Sequence, residues 1–127
     1  MKLRTEKDSI RLRLRKSELK QLSENGSVST TIRFSSGIYL RYTLEVSASH
    51  ERVEANFTNN LITVFLPKSI AKNWIDTDVV SIESSYKISD QNELHLLIEK
   101  DFPCLDRPDE DKSDTFQELA AKHEDHC

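Results

Sequence analysis

Four metal-ligating side chains lie in the last quarter of the chain: Cys104, His123, His126 and Cys127. Thiolate and imidazole are ligands that zinc prefers, and the His-x-x-His-Cys spacing brings three of the four close together. Structural zinc sites usually combine two paired sets of ligands, whereas Cys104 has no neighbouring cysteine or histidine. Zinc is the metal that these side chains would fit. The sequence nevertheless favours a solvated acidic tail over a metal site, and no cofactor is predicted.

Five arginines form a second candidate site: Arg11, Arg13, Arg15, Arg33 and Arg41. The first three alternate with apolar residues in the sequence SIRLRLR, so they share one face of a strand. If that strand neighbours the hairpin that carries the other two, all five face outward together. Guanidinium groups suit phosphate, and the set predicts binding of nucleic acid or another polyanion. No aromatic residue interleaves with these arginines, so no platform for stacking bases is predicted. A solvated strand face is the alternative interpretation.

Catalysis has weaker support in the sequence. Cys104 is the candidate nucleophile, but it follows a proline among carboxylates, which disfavour the thiolate form. The sequence contains no P-loop, GxGxxG, HExxH or GxSxG motif. A non-catalytic function is therefore favoured, and no catalytic residue is assigned.

Charge is distributed unevenly along the 127 residues. Residues 1–41 carry ten Lys and Arg against four Asp and Glu, and residues 101–127 carry three against nine. This asymmetry predicts that the acidic tail lies against the basic N-terminal half. No apolar run reaches the roughly 20 residues that cross a bilayer, and the charged start is no signal peptide. We expect a cytoplasmic protein, monomer or homodimer, that does not bind membranes and keeps its two cysteines as free thiols.

The stretch ITVFLPKSIAKNWIDTDVVSIE, residues 62–83, predicts a strand, a corner at Pro67, a short helix with Trp74 and another strand. A shift of 52 residues aligns it with an earlier strand, a helix entered at Ser17 and a strand from Val28. Each helix is followed by a hairpin. The sequence therefore predicts a βαββ unit that occurs twice, at about 10–47 and 62–100, joined by a strand at 53–57.

These units predict a mainly β (α+β) protein with about seven strands and two short helices. A closed or nearly closed barrel is expected, because closure removes exposed strand edges; a two-sheet sandwich is the alternative. Residues 1–105 are predicted to form a single β-rich domain, and residues 106–127 an acidic C-terminal tail.

Two resemblances accompany these patterns. The whole chain resembles a small bacterial family of uncharacterised proteins with an N-terminal SIRLRL-K-SE segment and a C-terminal EKDF-x-CL segment. The residues that carry this resemblance are Ser9–Leu14, Lys16, Ser17, Glu18, Glu99–Phe102, Cys104, Leu105, Arg107, Glu110, Asp111 and Asp114. The expected Asn-Pro pair after Phe116 is replaced by Gln117-Glu118. Residues 62–83 also resemble the swapped-hairpin unit of AbrB-like regulators through Pro67, Ile70, Trp74 and Asp78, although Thr77 replaces the usual glycine.

The first resemblance implies a function that is unknown, and the second implies DNA binding by an interlocked barrel. The leading hypothesis is an uncharacterised, non-catalytic binding or accessory protein with a basic N-terminal face and an acidic tail. The alternatives are an AbrB-like DNA-binding regulator and a metal-binding protein or enzyme that uses Cys104 and the C-terminal His and Cys residues.

Overall fold

Alternating apolar and polar residues form strands along most of the chain, as their period of two requires. The computed structural model describes residues 1–101, 114–116 and 118–119. Within them lie eight strands and two helices. In chain order these are β1 (Lys2–Thr5), β2 (Ser9–Leu14), α1 (Lys16–Asn25), β3 (Ser27–Ser35), β4 (Ile38–Ser47), β5 (Glu54–Thr58), β6 (Leu61–Pro67), α2 (Lys68–Asp76), β7 (Ser81–Lys87) and β8 (Glu93–Lys100).

The strands form two four-stranded sheets, and this corrects the barrel prediction. The first sheet has the order β1-β2-β8-β7 and the second the order β3-β4-β6-β5. Among the described residues no strand pairing joins the two sheets, so neither sheet closes into a barrel. The barrel prediction was wrong because it assumed that neighbouring antiparallel hairpins continue around a single sheet. The alternative, a two-sheet arrangement, fits the structure.

Parallel pairs between the two halves of the chain explain this arrangement. β2 pairs in parallel with β8, and β4 pairs in parallel with β6. Each half has the order ββαββ and contributes two strands to each sheet. β1 was not predicted, because KLRT is short and half of its residues are charged. The order of elements is thus the same in both halves, while a repeat at the level of sequence stays a prediction.

Local hydrogen bonds mark the start and the end of α1. Arg15, not the predicted Ser17, is the N-cap of α1, and its backbone N–H donates to Glu18 Oε1 at 2.9 Å. Gly26 ends α1 with φ of +80° and donates its N–H to the carbonyl of Leu22 at 2.9 Å. A left-handed residue in this place is the usual end of a helix, and glycine adopts it without strain.

One hydrophobic core lies between the sheets and under the helices. Trp74 of α2 is fully buried, and its Nε1–H donates to the carbonyl of Val80 at 2.9 Å. Leu22 occupies the corresponding place on α1 and is also buried. Phe116 and Leu119, from beyond the predicted boundary at residue 105, belong to the same core. The boundary itself stays a prediction.

Candidate functional site

A buried network of charges lies on the first sheet. In the parallel pair, Arg13 of β2 stands beside Glu99 of β8. Glu99 Oε1 lies 2.5 Å from an Arg11 guanidinium nitrogen and 3.1 Å from Arg13 Nε. Asp101, the residue after β8, is 3.5 Å from Arg13 and 3.2 Å from Lys2 Nζ. We call Arg11, Arg13, Glu99 and Asp101, with Lys2 at the rim, the charge network.

Burial makes this pairing obligatory. Glu99 and Asp101 are 1% and 2% exposed, and Arg13 is 8% exposed. An isolated charge in such a place is strongly unfavourable, so each carboxylate needs a cation and hydrogen-bond donors. Two of the five arginines that were predicted to bind an external anion, Arg11 and Arg13, are therefore already neutralised by carboxylates of the same chain.

Lys100 points to the opposite side, into the core. It is 2% exposed, its Nζ donates to the carbonyl of Thr77 at 2.6 Å, and it lies 5.6 Å from the Phe116 ring centre. Desolvation lowers the pKa of Lys100 below 10.5, and the negative charges of Asp78 and Glu118 oppose this shift. The sequence contained a signal for this burial, since Lys100 continues the core phase of Leu96 and Ile98 in ELHLLIEK.

Asp114 holds the start of α1. One carboxylate oxygen accepts the Ser17 backbone N–H at 3.0 Å, and the other accepts the Ser17 hydroxyl at 2.5 Å. The backbone N–H of Phe116 donates to the carbonyl of Asp101 at 2.8 Å. A negative group at a helix N-terminus satisfies free N–H groups and complements the helix dipole. Acidic residues from beyond β8 therefore contact the first half at α1.

Arg33 and Arg41 lie elsewhere, on the hairpin of β3 and β4 in the second sheet. Arg33 pairs across the hairpin with Tyr39, and Thr31 pairs with Arg41. Arg41 Nε donates to the Thr31 hydroxyl at 3.1 Å, and its guanidinium lies 5.5 Å from the Tyr39 ring centre. Neither arginine has a carboxylate partner within the described part of the chain. We call Arg33, Tyr39 and Arg41 the basic hairpin face.

The same hairpin exposes large apolar side chains. Phe34 is 67% exposed and Ile38 is 58% exposed, on either side of the turn. Ile32 is partly exposed on the face of β3 that holds the buried Val28. Phe57 of the opposite edge strand is also 67% exposed. The core face of the second sheet therefore continues past the core as an open apolar surface.

The five predicted anion-binding arginines are thus not brought together. Arg11 and Arg13 belong to the charge network of the first sheet, Arg15 is exposed at the start of α1, and Arg33 and Arg41 lie on the second sheet. The strand and the hairpin are not neighbours in one sheet, so the condition for a common stripe is not met. Tyr39 does stand between two of the arginines, which corrects the expectation that no aromatic side chain interleaves with them.

The predicted metal ligands Cys104, His123, His126 and Cys127 all lie outside the described residues. The candidate nucleophile, Cys104, lies there too. Sequence reasoning missed Glu99 and Asp101 as partners of Arg11 and Arg13, because only the parallel pairing of β2 with β8 brings these residues together.

Comparison with known families identifies one match. A family model described as "Family of unknown function (DUF7009)" covers residues 1–119. The chain belongs to the DUF7009 family. The match agrees with the resemblance to uncharacterised proteins, while it lends nothing to the AbrB-like resemblance of residues 62–83. No curated protein and no solved structure matches the chain.

In the part of the chain that the structure describes, neither helix has the length and apolar character that crossing a membrane requires.

Proposed function

We propose that this DUF7009 protein is a non-catalytic binding protein that recognises an anionic partner through the basic hairpin face. The observation that carries the proposal is the contrast between the two groups of arginines. Arg11 and Arg13 are paired with buried carboxylates, whereas Arg33 and Arg41 face solvent and have no carboxylate partner among the described residues. The charges of Arg33 and Arg41 are therefore available to another molecule.

The hairpin also positions these arginines. Arg41 is oriented by its hydrogen bond to Thr31 and by the ring of Tyr39, 5.5 Å away. A guanidinium held in this way loses less conformational entropy when it binds a carboxylate or a phosphate. It presents its remaining N–H donors in a fixed fork, which suits bidentate recognition of either group.

Chromatography on immobilised heparin at low salt tests the proposal. The chain has a formal net charge of −4, so retention requires a local basic surface. We expect the wild-type protein to be retained and the double variant Arg33→Glu/Arg41→Glu to elute at lower salt. The matched control is Lys20→Glu/Lys72→Glu, which makes the same charge change at exposed positions on the two helices. Equal loss in both double variants, or no retention of the wild type, would overturn the proposal.

A DNA-binding regulator of the AbrB-like kind is a second candidate. The feature that favours it is the interleaving of the two halves, each of which supplies two strands to both sheets. Affinity for double-stranded DNA should then fall steeply with salt, because each neutralised phosphate releases counterions. A salt response that is flat, or that stays unchanged in Arg33→Glu/Arg41→Glu, argues against this role.

A metal-binding role through Cys104, His123, His126 and Cys127 stays a proposal that is based on the sequence alone. It is tested by elemental analysis of the untagged protein, in which the absence of stoichiometric zinc would count against it.

A further inference from the structure

β3 differs from the other three edge strands of the molecule. Edge strands expose unpaired backbone N–H and C=O groups, and proteins usually protect them by keeping them short or charged. β1 has two charged residues in four, β7 two in seven and β5 one in five. β3 is nine residues long, carries only Arg33 as a charge and contains no proline. It is the longest and least protected of these edges.

The two faces of this edge differ in chemistry. Arg33 and Thr31 lie on the side of the basic hairpin face, beside Arg41 and Tyr39. Ile32 lies on the other side, opposite Leu40, and the exposed Phe34 follows it at an irregularity of the strand. The last four residues of β3 are all exposed. Any strand placed beside this segment would have cations next to one of its faces and apolar side chains next to the other.

We infer that the outer edge of β3 binds an extended segment of a partner protein in which acidic and apolar residues alternate. Such a segment adds a fifth strand to the second sheet and pairs with the free backbone groups of β3. Its carboxylates meet Arg33 and Arg41, and its apolar side chains cover Ile32 and Phe34, because neighbours in a sheet share a face. The inference rests on the proposed function and specifies the partner of the same surface.

Two observations favour a protein segment over nucleic acid at this edge. Phosphates would satisfy Arg33 and Arg41 but would leave the apolar side of β3 exposed to water. A single strand with bases stacked on aromatic rings needs several such rings, and Tyr39 is the one aromatic residue of the basic hairpin face. An alternating acidic and apolar strand matches both faces by charge and by hydrophobicity.

The probe is a fluorescent eight-residue peptide of alternating Glu and Val, measured by fluorescence anisotropy and by amide hydrogen exchange. We expect saturable binding, with slowed exchange at amides of β3 and unchanged exchange at β1 and β7. Arg33→Glu/Arg41→Glu and, separately, Ile32→Ser/Phe34→Ser should each weaken binding by about tenfold or more, which corresponds to about 1.4 kcal/mol. Lys20→Glu/Lys72→Glu is the control on the two helices and should leave binding unchanged.

Three further peptides separate the contributions. An alternating Lys and Val peptide tests charge, and a Glu and Val peptide with N-methyl groups on alternate residues tests backbone pairing; both should bind at least about tenfold more weakly. A scrambled peptide with all Glu residues in one block tests the alternation. Binding of the scrambled or N-methylated peptide as tightly as the alternating one would overturn strand addition.

The outcomes also distinguish this inference from the proposed function. Retention on heparin that depends on Arg33 and Arg41, without binding of the peptide at about 1 mM, would overturn the inference and leave the proposed function standing. Loss of both results would overturn both. Protection of β3 amides that rises with protein concentration in the absence of peptide would identify a second copy as the occupant, and it too would overturn the inference.

Discussion

Glu45 and Glu99 hold the same position in the two sheets, yet their surroundings differ. Each lies near the end of a strand that is paired in parallel with a strand of the other half. The residue beside Glu99 is Arg13, whereas the residue beside Glu45 is Phe65, on whose ring His50 stacks at 4.2 Å. At this point the first sheet pairs a buried carboxylate with an arginine, whereas the second sheet has an aromatic ring beside its glutamate.

This difference separates structural cations from available cations. Arg11 and Arg13 stabilise the first sheet because they neutralise buried carboxylates. Arg33 and Arg41 lie on the second sheet, where no described carboxylate is aligned with them, and so their charge is exposed to other molecules. Arginines that lie on strands thus have different roles, which are set by the strand beside them.

The largest effect should come from removing the carboxylate of the charge network. Glu99→Ala removes the carboxylate that lies 3.1 Å from the buried Arg13 Nε, and we expect a loss of about 3–5 kcal/mol in the free energy of unfolding. Urea denaturation measures it. Glu45→Ala is the matched control in the second sheet and should cost less than about 1 kcal/mol. Equal losses at both positions would remove the distinction between the sheets.

An intermediate effect should come from Asp114. Asp114→Ala removes two hydrogen bonds to Ser17 at the start of α1, and caps of this kind contribute about 0.5–2 kcal/mol. Glu118→Ala removes an exposed ion pair with Lys16 at 3.4 Å and should change stability by less than about 0.5 kcal/mol. Thermal or urea unfolding of the two variants compares them. A smaller loss for Asp114→Ala than for Glu118→Ala would contradict the capping role.

Lys100 makes stability depend on alkaline pH. Burial lowers its pKa below 10.5 in the folded protein. Between that lowered value and 10.5 the unfolded chain binds more protons than the folded one, so the contribution of Lys100 to stability rises with pH. Lys100→Met should abolish this rise. The measurement is the difference in the free energy of unfolding between wild type and variant at several pH values from neutral to 10.5; a difference that is constant or reversed would refute it.

The smallest effect is expected on the basic hairpin face. Arg41→Gln should change the free energy of unfolding by no more than about 0.5 kcal/mol, because the side chain is exposed and has no ion pair within the described residues. Arg11→Gln should cost more, since it removes one of the cations around the buried Glu99. Similar losses in the two variants would show that Arg41 is structural too.

Most elements of the fold could be predicted from the sequence, because strand and helix patterns are local. The predicted strand, corner at Pro67, short helix and following strand of residues 62–83 are present as β6, α2 and β7. The sheet arrangement could not be predicted, because no local pattern indicates that β2 and β8 pair in parallel. The charge network depends on that pairing, so its carboxylates could not be assigned to Arg11 and Arg13 in advance.

Part of the basic hairpin face could be predicted from the sequence. Arg33 and Arg41 were named as anion ligands, since the hairpin and its register follow from alternation and a tight turn. Their separation from Arg11 and Arg13 follows only from the division into two sheets. The exposure of Phe34 and Ile38 could not be predicted either, because the alternation of residues along a strand does not show where its apolar face extends beyond the core.

The pairing of β2 with β8 has a consequence for how the protein folds during its synthesis. Ser9 lies beside His95 in the ladder, so the first sheet joins residues from nearly opposite ends of the described domain. Contacts of such long sequence separation slow folding, because the chain must close a large loop before they form. During synthesis β2 has to wait for almost the entire domain to emerge from the ribosome. Until then its apolar residues are exposed, and this protein should depend on chaperones more than its small size suggests.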